Sequence, residues 1–413
     1  MENYKPLEKL YYKKINIEQE YLKRINDSLC YKSKLEIFPI KNGERNVKKR
    51  FLLFYLLLPE IQALQEKIEM NSREISHITF HLPNLIKRAC LNDIMVNEII
   101  RTNRIEGVFS TKEEIYNVIN SKKITRYSGI VKQYQEIINN NIKTITSPEE
   151  IRELYDKIFS EDILKNSENK LDGKLFRISE VYIKDYKEKT VHKGDVTEER
   201  ILLHLNTLIE FMNEHDVPPL VKACITHYYF EYIHPFYDGN GRFGRLLFSM
   251  YLAKKLDIYT GLSLSYAISN EKNNYIKAFL EVANEKNYGE LTFFIIGMLN
   301  FIIKGQESLI KMFRKKFQKV QRASNYIYAL NDIGKTEKDI LFLYVQNFIF
   351  ARNTPLADDR ISFYTSINPK PLKIYLLNLT RKGYITKLSN HTLENYPHVR
   401  VISSGVKKVF DFL

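Results

Sequence analysis

Long stretches of this chain place apolar residues every three to four positions and run almost without glycine or proline. LLLPEIQALQEKIEMN, KEEIYNVINSKK and RILLHLNTLIEFMNEH all carry that period. A repeat near 3.6 does not fit a half-buried strand, whose repeat is two, so the spacing predicts a mostly α fold. One stretch departs from it. From Arg177, RISEVYIKDYKEKTVH alternates apolar and polar residues around a charged turn, which predicts a short β-hairpin. The 413 residues allow two or three domains, and 44% hydrophobic with 27% charged residues is a globular composition. We read residues 1–74 as a helical extension and 75–305 as the main domain. A basic helix containing SLIKMFRKKFQKVQRA follows as a connector over 306–332, and 333–413 form a tail module.

Other features narrow the function classes. The runs FLLFYLLL and LTFFIIGMLNFII are shorter than the ~20 residues that span a bilayer. The amino terminus lacks the apolar core of a signal peptide. We therefore expect no membrane partner. Cys30, Cys90 and Cys224 have neither paired nor metal-ligand spacing, which predicts free thiols in a reducing, cytoplasmic compartment. The net charge of +14 is scattered along the chain and by itself indicates no partner.

The segment His234–Arg245, HPFYDGNGRFGR, concentrates chemistry. A neutral imidazole at His234 can accept a hydroxyl proton. Gly239, Asn240 and Gly241 can turn their N–H groups into a nest for phosphate oxygens, and the apolar run after them predicts a helix whose N-terminus favours anions. Arg242 and Arg245 lie three apart on that helix, suited to a polyphosphate, and Asp238 is a hard oxygen ligand for Mg²⁺. An EF-hand is excluded, because Arg242 and Phe243 stand where an oxygen ligand and a glycine are required.

This segment resembles the active-site motif of Fic-family enzymes at every fixed position. The resemblance implies a Fic-type helical domain and an ATP-using nucleotidyltransferase that moves AMP to Tyr, Ser or Thr hydroxyls of a target protein, itself included. It implies His234 as base, Asp238 as ligand of the Mg²⁺ that accompanies ATP, and Phe236 as a buried anchor. Gly239, Asn240, Gly241, Arg242 and Arg245 would bind ATP. The hairpin matches the family's target-binding flap, with Val181, Tyr182 and Ile183 on it. Ala283–Glu285 resembles an adenine-closing element, which implies Asn284 and Tyr275 at the base. Upstream, LNDIMVNEIIRTNRIEG reads as a helix stopped by Gly107 with Thr102 and Glu106 on one face. Next to this motif it resembles an inhibitory helix near 93–107, whose Glu106 would pair with Arg245. Two alternatives stay open. Glu106 could instead orient water for removing AMP, or the chain could be a nucleotide-sensing DNA-binding regulator.

ALNDIGKT, from Ala329 to Thr336, falls short of a P-loop, and Thr336 with Asp339 reads as a variant capping box. The helices and strand-like runs after it resemble a winged helix, an α+β module that either binds DNA or packs on the enzyme.

Overall fold

The computed structural model describes residues 4–41, 43–120, 124–184, 190–350, 356–387 and 399–402. The chain divides into two compact units. The first holds residues 1–73 and 95–307, and the second 74–94 and 308–413. Helices dominate both.

In the first unit the periodic stretches form helices, among them Lys112–Asn120, Glu198–Asn213, Pro219–Ile233 and Asn240–Lys255. Thr197 starts the Glu198–Asn213 helix by accepting the Arg200 N–H on its hydroxyl. Pro219 opens the next helix, where its missing N–H costs nothing. That helix is buried nearly all round, so its sequence lacks a polar face. Tyr155, Phe176, Phe230, Phe236 and Phe243 form a buried aromatic core.

The amino-terminal extension is not all helix, which corrects the reading of 1–74. Strand β1 (Cys30–Ile37) pairs antiparallel with β4 (Phe51–Leu56), and β2 (Ile40–Lys41) pairs with β3 (Glu44–Arg45). The run FLLFYLLL is therefore mostly strand, and the helix expected from Leu56 starts at Pro59. A short apolar run fits a buried strand as well as a buried helix, and here a partner strand decides it. The hairpin predicted after Arg177 is present. Strand β5 (Tyr182–Lys184) pairs with β6 (Thr190–Lys193), and Ile183 lies opposite His192. Residues 185–189 between them fall outside the described residues.

The apolar run after Leu291 and the basic stretch after residue 305 belong to one helix, Thr292–Tyr328. Asn300 lies inside it, with its side-chain amide folded back to donate to the Ile296 carbonyl at 2.8 Å. Among the described residues this helix alone is long and apolar enough to cross a membrane, and 61% of its most apolar window is buried inside the protein.

In the second unit, helix Lys335–Phe350 precedes β7 (Leu356–Ala357), helices Asp358–Thr365 and Pro369–Arg381, β8 (Ile385–Lys387) and β9 (Val399–Ile402). The strands form an antiparallel sheet in the order β7-β9-β8. Ile340, Tyr344, Ile361, Leu372, Leu376 and Ile385 meet in its core. The capping box expected from Thr336 and Asp339 is replaced by a different pair. Glu337 accepts the Gly334 N–H at 2.8 Å, while Asp339 accepts the Tyr328 hydroxyl. Glu337 is the acid three residues after Gly334, so it alone reaches back over the first turn.

Candidate active site

Helix Pro219–Ile233 ends at His234, whose φ of 54° is left-handed, a conformation that costs a non-glycine residue roughly 1–2 kcal/mol. A fully buried arginine holds it there. The Arg177 guanidinium donates to the His234 carbonyl at 2.9 and 2.7 Å and to the carbonyls of Asp195 and Ser179. The same residue therefore ties the start of the hairpin segment to the histidine. Arg45 secures the hairpin's other end. It donates to the carbonyls of Lys193 and Tyr232 and pairs with Asp195, which His204 contacts at 2.8 Å.

His234 Nδ1 lies 3.3 Å from the Glu231 carbonyl. A carbonyl only accepts, so the proton belongs on Nδ1 and the Nε2 lone pair is left for a substrate. Burial, then the positive charge of Arg177, lowers the imidazole to about 4, so it is neutral at pH 7. The Glu231 carboxyl is also buried, which pushes it up to about 8.

The loop after His234 is built inward. Phe236 is fully buried and stacks on Tyr155 with ring centroids 3.6 Å apart. Asn240 closes the loop, since its side chain accepts from Phe236 N and donates to Phe236 O at 2.9 and 2.8 Å. One N–H and the carbonyl oxygen of the Asn240 amide are thus engaged within the loop itself. Gly239 has φ 81° and caps helix Asn240–Lys255, a conformation open to glycine at little cost. The backbone N–H groups at this helix start remain the expected anion nest. Asp238 is half exposed, with one oxygen on the Gly239 N–H and the other 3.9 Å from Arg242.

The two arginines have separate acidic partners. Arg242 pairs with Asp162 at 2.8 Å and covers the Phe159 ring. Arg245 is buried and binds Glu106 at 2.6 Å, while its Nε donates to the Thr102 hydroxyl at 2.9 Å. Thr102 and Glu106 thus do share one face of helix Asn84–Ile105 and its end, which Gly107 terminates at φ 74°. Burial would lower the Arg245 pKa, but the Glu106 charge raises it above the usual range. Burial would raise Glu106, and Arg245 nevertheless holds it below the usual carboxylate range. A Cβ on Gly241 would sit 2.2 Å from Glu106 Oε1, so that glycine makes room for the carboxylate.

Tyr275 is buried, with its hydroxyl 2.7 Å from His227 Nε2, and it is electrostatically coupled to Arg245. Asn284 uses its side chain to accept the Lys286 N–H, and its backbone bridges to Ile40. The arrangement brings His234, Glu106, Arg242, Arg245 and the glycine turn together. Asn284 is engaged in a local cap. The sequence reading missed Arg45, Asp162, Arg177, Asp195 and Glu231.

Asp238 fits a Mg²⁺ that arrives with phosphates, because such ions take one or two carboxylates and fill the rest of their shell from substrate and water. Among the described residues no group of three or more His, Cys, Asp or Glu side chains makes a closed metal cage.

Residues 144–252 match the Fic/DOC family. Over 247 residues the chain is 22% identical to a protein adenylyltransferase Fic of Nematostella vectensis, covering 58% of this chain and 54% of that protein. It is 26% identical over 109 residues to protein adenylyltransferase fic-1 of Caenorhabditis elegans, 24% of this chain and 20% of the relative. The chain therefore spans about half or less of these relatives. A Fic family protein from Desulfovibrio desulfuricans G20 superposes with a TM-score of 0.49 at 17% identity, over 85% of this chain and 98% of that one. The His234–Arg245 loop lies inside the segment that matches the Fic/DOC family.

Proposed function

We propose that the chain transfers AMP from ATP to a protein hydroxyl and that Glu106 restrains the reaction. The observation carrying this reading is the loop itself, in which an unprotonated His234 Nε2 stands beside a glycine-capped helix start and two buried arginines. His234 would take the proton of the attacking Tyr, Ser or Thr hydroxyl. The N–H groups from Gly239 to Gly241 would hold the phosphates, and Arg242 and Arg245 the outer ones, so that pyrophosphate departs. Asp238 would hold Mg²⁺, whose charge offsets that of the phosphates. Val181, Tyr182 and Ile183 would receive the target segment by strand addition.

Glu106 occupies the guanidinium that an outer phosphate needs and opposes it with like charge. Removal of AMP by Glu106 is the weaker reading, because a carboxylate held low by Arg245 is a poor general base. Intact-mass measurement tests transfer directly. Incubation with ATP and Mg²⁺ should add the mass of AMP to the chain or to a target, and EDTA should abolish the gain. Addition of phosphate alone would contradict the proposal.

A further inference from the structure

A cavity of about 250 Å³ opens against helices Pro219–Ile233 and Asn240–Lys255 and the segment 142–145, with Gly244 of the His234–Arg245 segment in its lining. Met212, Phe230 and Phe248 give it an apolar wall. Its charged lining is almost all of one sign. Lys143, Lys254 and Lys255 are exposed at it, and Lys222 is only 5% exposed.

Lys222 is the unusual group. Its ammonium donates to the main-chain carbonyl of Glu214. Among the described residues no carboxylate lies within ion-pair distance of it. The single acid lining the cavity, Glu214, has its carboxylate engaged by Lys34 at 3.2 Å and Tyr31 at 3.3 Å. Burial, then the charge of Lys255, lowers the Lys222 pKa. A buried ammonium whose acidic neighbours, Glu214 and Asp216, act only from beyond ion-pair distance remains costly, and an anion placed beside it would lower that cost. Three further lysines raise the local potential for such an anion.

Size limits the rest of the ligand. At the ~30 Å³ that one water takes in the liquid, the cavity holds about eight waters, the bulk of a substituted aromatic ring. An apolar body would displace water from Phe230 and Phe248 while the anionic head meets Lys222.

We propose that this cavity is a binding site for a small amphipathic anion, an aromatic or branched apolar body carrying one carboxylate or phosphate. The inference does not rest on AMP transfer. His227, which also lines the cavity, contacts Tyr275, and Tyr275 is coupled to Arg245. An occupant therefore touches Gly244 of the His234–Arg245 segment and reaches Arg245 through His227 and Tyr275.

Ligand-detected NMR titration of the full chain tests it, with benzoate and phenyl phosphate as probes of the two head groups and benzamide as the neutral control. A ligand of this size should bind in the range of about 1 mM. Benzamide should bind at least ~10-fold more weakly, since it cannot offset the ammonium charge. Lys222→Gln should weaken the better anion ~10-fold without changing benzamide, because it removes charge but little volume. Thr226→Phe, at a half-buried lining position, should block every probe. Leu247→Trp provides a second filled cavity if the first variant misfolds. Equal binding of benzamide, undiminished anion binding in Lys222→Gln or in the filled variants, or no anion binding up to roughly 10 mM would overturn the proposal.

Discussion

Replacing Glu106 with glycine should raise AMP transfer roughly 5- to 150-fold, read as the initial rate of label incorporation from α-labelled ATP. The contact being removed is a 2.6 Å ion pair whose arginine is buried and whose carboxylate is about a third exposed. A fully desolvated pair could hold back several kcal/mol. Solvent on the carboxylate side screens this one to about 1–3 kcal/mol, which sets the range above. Arg245 would not be left loose, because Thr102 still accepts from its Nε and Nη2. Gly107 already ends the helix in a left-handed turn, so a second glycine frays the last turn without reaching the core. Adding His234→Ala or Arg245→Ala should cancel the gain. A fall in transfer in Glu106→Gly, with the wild type removing AMP from a modified partner, would make Glu106 a catalytic group instead.

His234→Ala, made in the Glu106→Gly background, should lower transfer by ~10²–10⁴-fold while leaving ATP affinity nearly unchanged. The phosphates are expected on backbone N–H groups and arginines, none of which uses the imidazole. The pH profile carries the same signature. Only neutral His234 can act as base, so the rate should be flat near pH 7 and fall on the acid side. The free site places that limb at about 4, through burial and Arg177. A bound triphosphate adds negative charge and should move it upward, toward the ordinary histidine value of ~6.5. Isothermal titration with a non-transferable ATP analogue measures the affinity, and near wild-type transfer in the variant would remove His234 from the base role.

The candidate site was largely legible because its parts are contiguous. From His234 to Arg245 the residue types are each demanded by chemistry, and spacing alone puts Thr102 and Glu106 on one face. The residues that hold this loop in place were not legible. Arg177 reaches a carbonyl 57 positions away, and Arg45 reaches Asp195 across 150. A lone arginine in a hairpin or a loop announces neither contact. Asn240 shows a related limit, since nothing in the sequence announces that its amide bonds both main-chain groups of Phe236. In the fold, amphipathic helices were readable from their period, whereas β1 and β4 were not. Their strand character comes from pairing Cys30 with Leu56 and Ile37 with Phe51, a non-local choice that an apolar run does not encode.

The central claim is that the His234–Arg245 loop moves AMP, and the position of the isotope decides it. Glu106→Gly protein is incubated with Mg²⁺ and ATP labelled at the α-phosphate, and in parallel with ATP labelled at the γ-phosphate. The account expects α-label on protein and γ-label released as pyrophosphate, with neither retained in Glu106→Gly/His234→Ala. Retention of γ-label on protein, or α-label transfer that survives loss of His234, would contradict it.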